Sequence, residues 1–309
     1  MSAPKDFLSL ANWPAEELRS ILARAHELKR LHRQGQPPQT LCGRTLAMYF
    51  EKPSLRTHVT FEAGMTQLGG HAILLRPEQV GIGTRESPAD VARNLSRWVH
   101  GILARTYDHA LVESLAAAAD IPVINGLTDL LHPCQAMADL QTVTERADLE
   151  KVAIAYVGDG NNVANSLLEA IAVLGGELRL ATPATHQPAQ RVRQRAAELA
   201  RRSGARISWT ADPVEAVRGA DFVYTDVWTS MGQEDESERR KALFEPFQLN
   251  TRLLRHAPEA WVMHCLPAHR GEEITEDVLE GPRSIVFDQA ENRLHAQKAI
   301  LERLLAAGR

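Results

Sequence analysis

Thr45-Leu46-Ala47-Met48-Tyr49-Phe50-Glu51-Lys52-Pro53-Ser54-Leu55-Arg56-Thr57 is the stretch that decides the fold. The apolar run Thr45–Phe50 is short enough to be a buried strand. Glu51-Lys52-Pro53 breaks it. Val59, Phe61, Ala63, Met65 and Leu68 then give an apolar stripe at helical spacing, and Gly69-Gly70 supplies a stop. Ser54 therefore caps a helix that follows a strand. A helix start presents unpaired N–H groups and a partial positive charge. Arg56 adds a full positive charge in the first turn, which an uncompensated dipole disfavours by roughly 0.3–1 kcal/mol. A bound anion reverses that sign, and Ser54 and Thr57 add hydroxyls, so the stretch reads as a phosphate or carboxylate cradle. The plainer alternative is an ordinary serine cap beside a solvated arginine.

The same strand–turn–helix grammar repeats outward from this stretch. Before it, Leu18, Ile21, Leu22, Ala25 and Leu28 mark an amphipathic helix starting near Asn12 or Pro14. After it come a strand at 72–75 and a loop at 76–86. Ser87-Pro88-Ala89-Asp90 opens a helix whose buried face is Val91, Leu95 and Trp98. A strand at 101–104 ends at Arg105, and a strand at 121–125 feeds a loop leading to His132-Pro133-Cys134-Gln135. Proline again suits the first helical position, so His132 and Gln135 fall within one turn of a second helix start. In open α/β sheets ligands bind beyond the carboxyl ends of the strands. Ser54–Thr57, Arg105 and His132–Gln135 are thus three candidate anion sites of one kind.

Residues 144–150 are charged and lack apolar periodicity, which marks a domain junction. A second series follows, with strands at 151–157, 177–182, 206–210, 222–225 and 261–263 and a last strand at 284–287. Alternation on this scale argues for an α/β fold of two domains, each with a parallel doubly wound sheet flanked by helices. The expected division is 1–145 joined by the closing helix 289–309, and 146–288. Gly158-x-Gly160 invites a dinucleotide reading, but Val163 stands where the third glycine belongs, so the fingerprint fails. His264, Cys265 and His269 invite a zinc reading, but a tetrahedral site wants a fourth ligand and a recognisable spacing. Neither is evident, and Cys265 reads better as a site thiol at a strand end.

The bulk composition narrows the classes. The chain has 309 residues, 44% hydrophobic and 24% charged, with a formal net charge of −4. That is ordinary for a globular protein and speaks against electrostatic capture of nucleic acid. The three cysteines Cys42, Cys134 and Cys265 are too scattered for a disulfide framework, which fits a reducing, cytoplasmic setting. No apolar run reaches the length of a membrane span or a signal peptide core.

Four motifs bring a resemblance. Phe50-Glu51-Lys52-Pro53-Ser54-Leu55-Arg56-Thr57, His132-Pro133-Cys134-Gln135-Ala136, Asp226-Val227-Trp228-Thr229-Ser230-Met231-Gly232 and His264-Cys265-Leu266-Pro267 make the chain similar over its whole length to the ornithine carbamoyltransferases. The resemblance implies carbamoyl transfer from carbamoyl phosphate to the δ-amine of L-ornithine, giving L-citrulline and phosphate. It implies no metal or organic cofactor, a homo-oligomer built on trimers, and a site between domains that is shared across subunits. By motif, Ser54, Leu55 (through its backbone N–H), Arg56 and Thr57 match the phosphate cradle. Arg105, His132 and Gln135 match the carbamoyl end, and Arg293 an arginine of the last helix that reaches carbamoyl phosphate. Asn162, Asp226, Ser230 and Met231 match the ornithine site, and Cys265 and Leu266 a loop between the two substrates. Arg105, His132, Asp226 and Cys265 are the expected catalytic groups.

Two positions depart from the family pattern: Leu55, which often is threonine, and His58, which often is arginine. The loop at 76–86 has no lysine, unlike that of the aspartate carbamoyltransferases, which favours an ornithine-type site. Siblings that use putrescine, N-acylated ornithine or aspartate share the first-domain motifs. A non-enzymatic anion-binding protein and a nicotinamide oxidoreductase are the alternatives from other classes.

Overall fold

The computed structural model describes residues 4–229 and 237–306. Its strands, in chain order, are β1 (Thr45–Phe50), β2 (His71–Leu75), β3 (Gly101–Arg105), β4 (Val123–Leu127), β5 (Ala153–Val157), β6 (Glu177–Ala181), β7 (Arg206–Thr210), β8 (Phe222–Tyr224) and β9 (Trp261–Met263). They form two sheets, a four-stranded one ordered β2-β1-β3-β4 and a five-stranded one ordered β7-β6-β5-β8-β9. Every pairing in both is parallel. The chain divides into two units, Met1–Gln141 with Glu291–Arg309, and Thr142–Ala290.

Sequence explains the strand positions. Strands β3 and β5, inside their sheets, and β4, whose outer side is bridged by Phe7, are apolar at nearly every residue and buried throughout. Edge strands β2 and β7 carry polar residues and are only partly covered. A parallel sheet covered by helices on both faces requires this contrast. In the first unit Val91, Ala92, Val112 and Leu115 pack from helices Pro88–Trp98 and His109–Ala118 onto Ala47, Ile102 and Val123. In the second, Ala155, Val157, Val223 and Val262 meet Val217, Phe244 and Leu253. Each strand order reverses once, between β1 and β3 and between β5 and β8, which leaves a crevice at the carboxyl ends of those strands.

Helix caps follow the rules that the residue types dictate. Ser54 Oγ accepts the Thr57 N–H at 3.2 Å and starts helix Leu55–Gln67. Ser87 Oγ does the same for Asp90 N–H at 3.1 Å, and Asp212 caps helix Pro213–Val217.

Several expectations need correction. Ser284–Phe287 is not a strand: it makes one bridge to β9 at Ser284, and helix Val286–Leu305 begins immediately after. Ile285 and Val286 are buried while Phe287 faces solvent, so the apolar run marks a helix entry rather than an inner strand. Trp98 is 70% exposed, because the helix ends there and extended Val99 takes the buried place. Val59 is 51% exposed, since it stands two residues from buried Phe61 and so lies on the other side of the helix. The loop at 76–86 contains a short helix, Pro77–Val80, started by proline and ended by Gly81 in the left-handed region at φ 67°.

Candidate active site

The carboxyl ends of β1, β3 and β4 are neighbours in the first sheet, and each delivers one of the candidate anion-binding groups. Helix Leu55–Gln67 leaves β1 with Thr57 buried in its first turn. Arg105 ends β3 opposite Phe50 of β1. Helix Pro133–Thr144 follows β4 and brings in His132 and Gln135. Arg293 enters from helix Val286–Leu305.

Two of these groups, Arg105 and Arg293, converge on one hydroxyl. Thr57 Oγ1 accepts from Arg105 Nη1 at 3.2 Å and from Arg293 Nη2 at 3.0 Å. Arg293 Nη1 also donates to Gln135 Oε1 at 2.5 Å, and Gln135 Nε2 donates to Asp139 Oδ1 at 2.8 Å. In the orientation that pairs both ends of its amide, Gln297 presents oxygen to Arg293 Nη2 (2.8 Å) and Nε (3.0 Å) and nitrogen to Thr60 Oγ1 (2.5 Å). Thr57, Arg105, His132, Gln135 and Arg293 are all buried, while Ser54 and Arg56 are half-buried and Leu55 faces solvent with 73% of its surface.

The electrostatics match an anion site. Burial first, then the charges of Arg293, Arg105 and Arg56, hold His132 well below the usual histidine range. Its imidazole is therefore neutral near pH 7 and offers one N–H donor without adding charge. Cys134 beside it is a structural thiol: burial pushes it up to about 12, and its Sγ lies 3.4 Å from the Asn125 carbonyl.

The turn before the cradle is braced. Glu51 accepts the Tyr107 N–H at 3.1 Å, and buried Lys52 pairs with Asp129 and lies 4.2 Å above the Tyr107 ring.

In the second unit the corresponding crevice gathers around Asp226, which follows β8 and is buried. Asp226 Oδ1 accepts the Cys265 thiol at 3.0 Å, and Oδ2 accepts Asn161 Nδ2 at 2.8 Å. Asn161 Oδ1 also caps helix Asn162–Leu174 by accepting the Val163 and Ala164 N–H groups. The residue bonded to Asp226 is thus Asn161, while Asn162 is the first helical residue and half-buried. Cys265 and Leu266 follow β9, with Leu266 in the left-handed region at φ 57°. Ser230 and Met231 lie outside the described residues.

A buried ion pair sits beside Asp226. Arg240 donates to Asp159 Oδ2 at 2.5 Å and to the Trp228 carbonyl at 2.6 Å. Burial outweighs the arginine and pushes the Asp159 carboxyl up to about 7, with the nearby Asp226 charge adding to the rise.

Two readings of other chemistry meet geometric objections. Gly160 packs so tightly on the 186–188 backbone that a Cβ there would come within 2.3 Å of the Gln187 carbonyl carbon. That glycine serves chain packing and presents no open cradle for a pyrophosphate. Asp226, His264 and Cys265 bring ligand atoms within 4.8 Å of one another, and so do His269, Glu272 and Glu273. In the first trio both His264 nitrogens are engaged, Nδ1 with Leu266 N–H (2.9 Å) and Nε2 with Glu273 Oε1 (3.0 Å). A metal would have to displace one of these bonds and find a fourth ligand.

The sequence reading assigns no site role to Asn161, Arg240 or Glu273, and names Lys52 only within the turn after β1. A signal existed only for Asn161, whose place before a helix marks a cap. The others act through partners distant in sequence.

Comparison with known proteins finds two family domains along the chain. Residues 5–145 match the carbamoyl-P binding domain of the aspartate/ornithine carbamoyltransferase family, and residues 150–304 match its Asp/Orn binding domain. The chain is 51% identical over 301 residues to an ornithine carbamoyltransferase of Thermococcus kodakarensis, covering 97% of this chain and 96% of that one. It is likewise 51% identical to one from Pyrococcus furiosus described as anabolic, with the same coverage. The solved Pyrococcus furiosus ornithine carbamoyltransferase superposes with a TM-score of 0.96 at 49% identity and covers 99% of each chain. That of Thermus thermophilus gives 0.87 at 47% identity, covering 98% of this chain and all of the other.

Proposed function

The chain belongs to the aspartate/ornithine carbamoyltransferase family, and from that premise we infer how its residues divide one reaction. It transfers the carbamoyl group of carbamoyl phosphate to the δ-amine of L-ornithine, giving L-citrulline and phosphate. The observation that carries the assignment of roles is the convergence of Arg105 and Arg293 on Thr57 Oγ1 at a helix start.

Ser54, Thr57, the Leu55 N–H and the Arg56 guanidinium hold the phosphate, with Arg293 as a further cation. Arg105, neutral His132 and Thr57 donate to the carbonyl oxygen, and Gln135 holds the carbamoyl end. The δ-amine loses a proton and its lone pair forms a C–N bond to the carbonyl carbon, which puts negative charge on that oxygen. The oxyanion then collapses, the C–O bond to phosphorus oxygen breaks, and phosphate leaves with the electron pair. Preformed donors aimed at the oxyanion each contribute on the order of 10²–10³ in rate. Asp226 draws the ornithine ammonium, and with Cys265 it orients the amine and receives its proton. Asn162, Ser230 and Met231 complete the ornithine side, and Leu266, with Cys265, belongs to the loop between the two substrates.

The family resemblance supports a trimer. Leu55 and Val59 stand one turn apart on an exposed apolar helix face, which a second copy of the chain would cover. Among the described residues no helix is long and apolar enough to cross a membrane, which accords with a cytoplasmic enzyme.

The test is a product assay without added metal, offering carbamoyl phosphate with L-ornithine, putrescine, N-acetyl-L-ornithine or L-aspartate. Citrulline from ornithine at the highest kcat/KM is expected. Product from another amine, with none from ornithine, overturns the substrate assignment.

A further inference from the structure

One buried pair in the second unit is not used by the chemistry above. His264 and Glu273 are fully buried, and His264 Nε2 lies 3.0 Å from Glu273 Oε1. The other ring nitrogen, Nδ1, accepts the Leu266 N–H at 2.9 Å. An imidazole that accepts at Nδ1 carries its proton at Nε2, so the two bonds together select one tautomer. The His264 backbone N–H donates to Gln289 Oε1 at 2.9 Å. Glu273 is tied down from its own side: Oε1 accepts the His269 N–H at 2.6 Å, and its carbonyl accepts the Leu249 N–H at 2.8 Å.

The ring therefore braces the chain on both sides of Cys265. That stretch needs bracing, because Leu266 holds φ 57°, a region that side chains with a Cβ disfavour. Release of the Leu266 N–H would let the backbone relax, and the Cys265 thiol would leave its place 3.0 Å from Asp226 Oδ1.

We propose that His264 and Glu273 are positioning residues for the Cys265 thiol: the carboxylate holds the imidazole as its Nε2–H form, and Nδ1 fixes Leu266 N–H. The inference rests on the reading that Asp226 and Cys265 face ornithine. Neither His264 nor Glu273 touches substrate in this account.

The test compares His264→Asn with His264→Gln in a Cys42→Ser background, since Cys42 is exposed and Cys134 buried. Asparagine keeps an acceptor near the Nδ1 position, whereas glutamine carries its amide out towards Glu273. Folding is checked by circular dichroism and by carbamoyl phosphate affinity. Readouts are the rate of Cys265 alkylation by iodoacetamide and the split between ornithine KM and kcat. The asparagine variant is expected within about threefold of wild type. The glutamine variant loses on the order of 10²-fold in kcat/KM for ornithine, as a displaced reacting group does. It also alkylates faster, with carbamoyl phosphate affinity unchanged. Equal impairment of both variants, or a glutamine variant with wild-type alkylation and kinetics, overturns the proposal. If the glutamine variant does not fold, Glu273→Leu against Glu273→Gln carries the same contrast, since only the latter keeps an acceptor for Nε2–H. Absence of citrulline formation by the wild type would sink the functional reading, while the alkylation contrast would still test the positioning.

Discussion

In the first unit, two buried guanidinium groups are held by neutral oxygens: Arg105 and Arg293 share Thr57 Oγ1, and Arg293 also reaches Gln135. In the second, a buried carboxylate is held by neutral donors, the Asn161 amide and the Cys265 thiol. Each arrangement orients a charge through these bonds without cancelling it. The Asp159–Arg240 pair, close to Asp226, shows the other solution: a guanidinium bonded directly to an acidic side chain at 2.5 Å, which fixes a loop carbonyl. Dipoles set the direction of the first two sets of charges, whereas Arg240 is tied directly to an acidic side chain.

The largest effect should come from taking away a donor aimed at the oxyanion. Arg105→Leu is expected to lower kcat on the order of 10²–10³, measured at saturating ornithine. A loss under tenfold would place the oxyanion elsewhere. Arg56→Ala acts on the ground state instead and should weaken carbamoyl phosphate binding about 10- to 100-fold with the fold intact, read by titration. Asp226→Asn tests the second unit and should raise ornithine KM about tenfold or more while carbamoyl phosphate affinity stays the same. A matched fall in both affinities would break the contrast between the units.

The smallest effect is on stability, and it has opposite signs in the two units. In the first, fully buried His295 is held at about 3, chiefly by burial and then by the Lys298 charge. The folded state resists a proton that the unfolded chain accepts below about 6.5, so this contribution is present above that pH and lost as pH falls towards 3. In the second, Asp159 is raised to about 7, so the folded state keeps a proton that the unfolded chain releases above 3.8. That contribution is complete below 3.8 and lost as pH rises through 7. Melting followed by calorimetry from pH 5 to 8 should show stability at pH 5 relative to pH 8 rising in His295→Leu and falling in Asp159→Asn. Each kcal/mol corresponds to roughly 2–4 °C. Identical profiles in both variants would contradict the assignment.

Legibility in the sequence followed the range of the interactions. Local rules suffice for Ser54, Ser87 and Asp212, because a cap and its N–H groups lie within three residues. They suffice for β1, β3 and β5, where burial on both faces demands an unbroken apolar run. They fail at Ser284–Phe287, where four apolar or small residues fit a strand or a helix entry equally well. They fail also at Asn161, where two adjacent asparagines differ only in which one the helix start turns towards Asp226. Glu273 and Arg240 carried no signal at all, since a buried charge is recognised only by the partner that the fold brings to it.

The most direct measurement is a titration of carbamoyl phosphate into wild type, Arg56→Ala and Asp226→Asn, with ornithine kinetics on the same preparations. A clean crossing is expected: the arginine variant fails to bind carbamoyl phosphate at wild-type concentrations, and the aspartate variant binds it normally but turns over ornithine poorly. Normal carbamoyl phosphate affinity in the arginine variant would contradict the account.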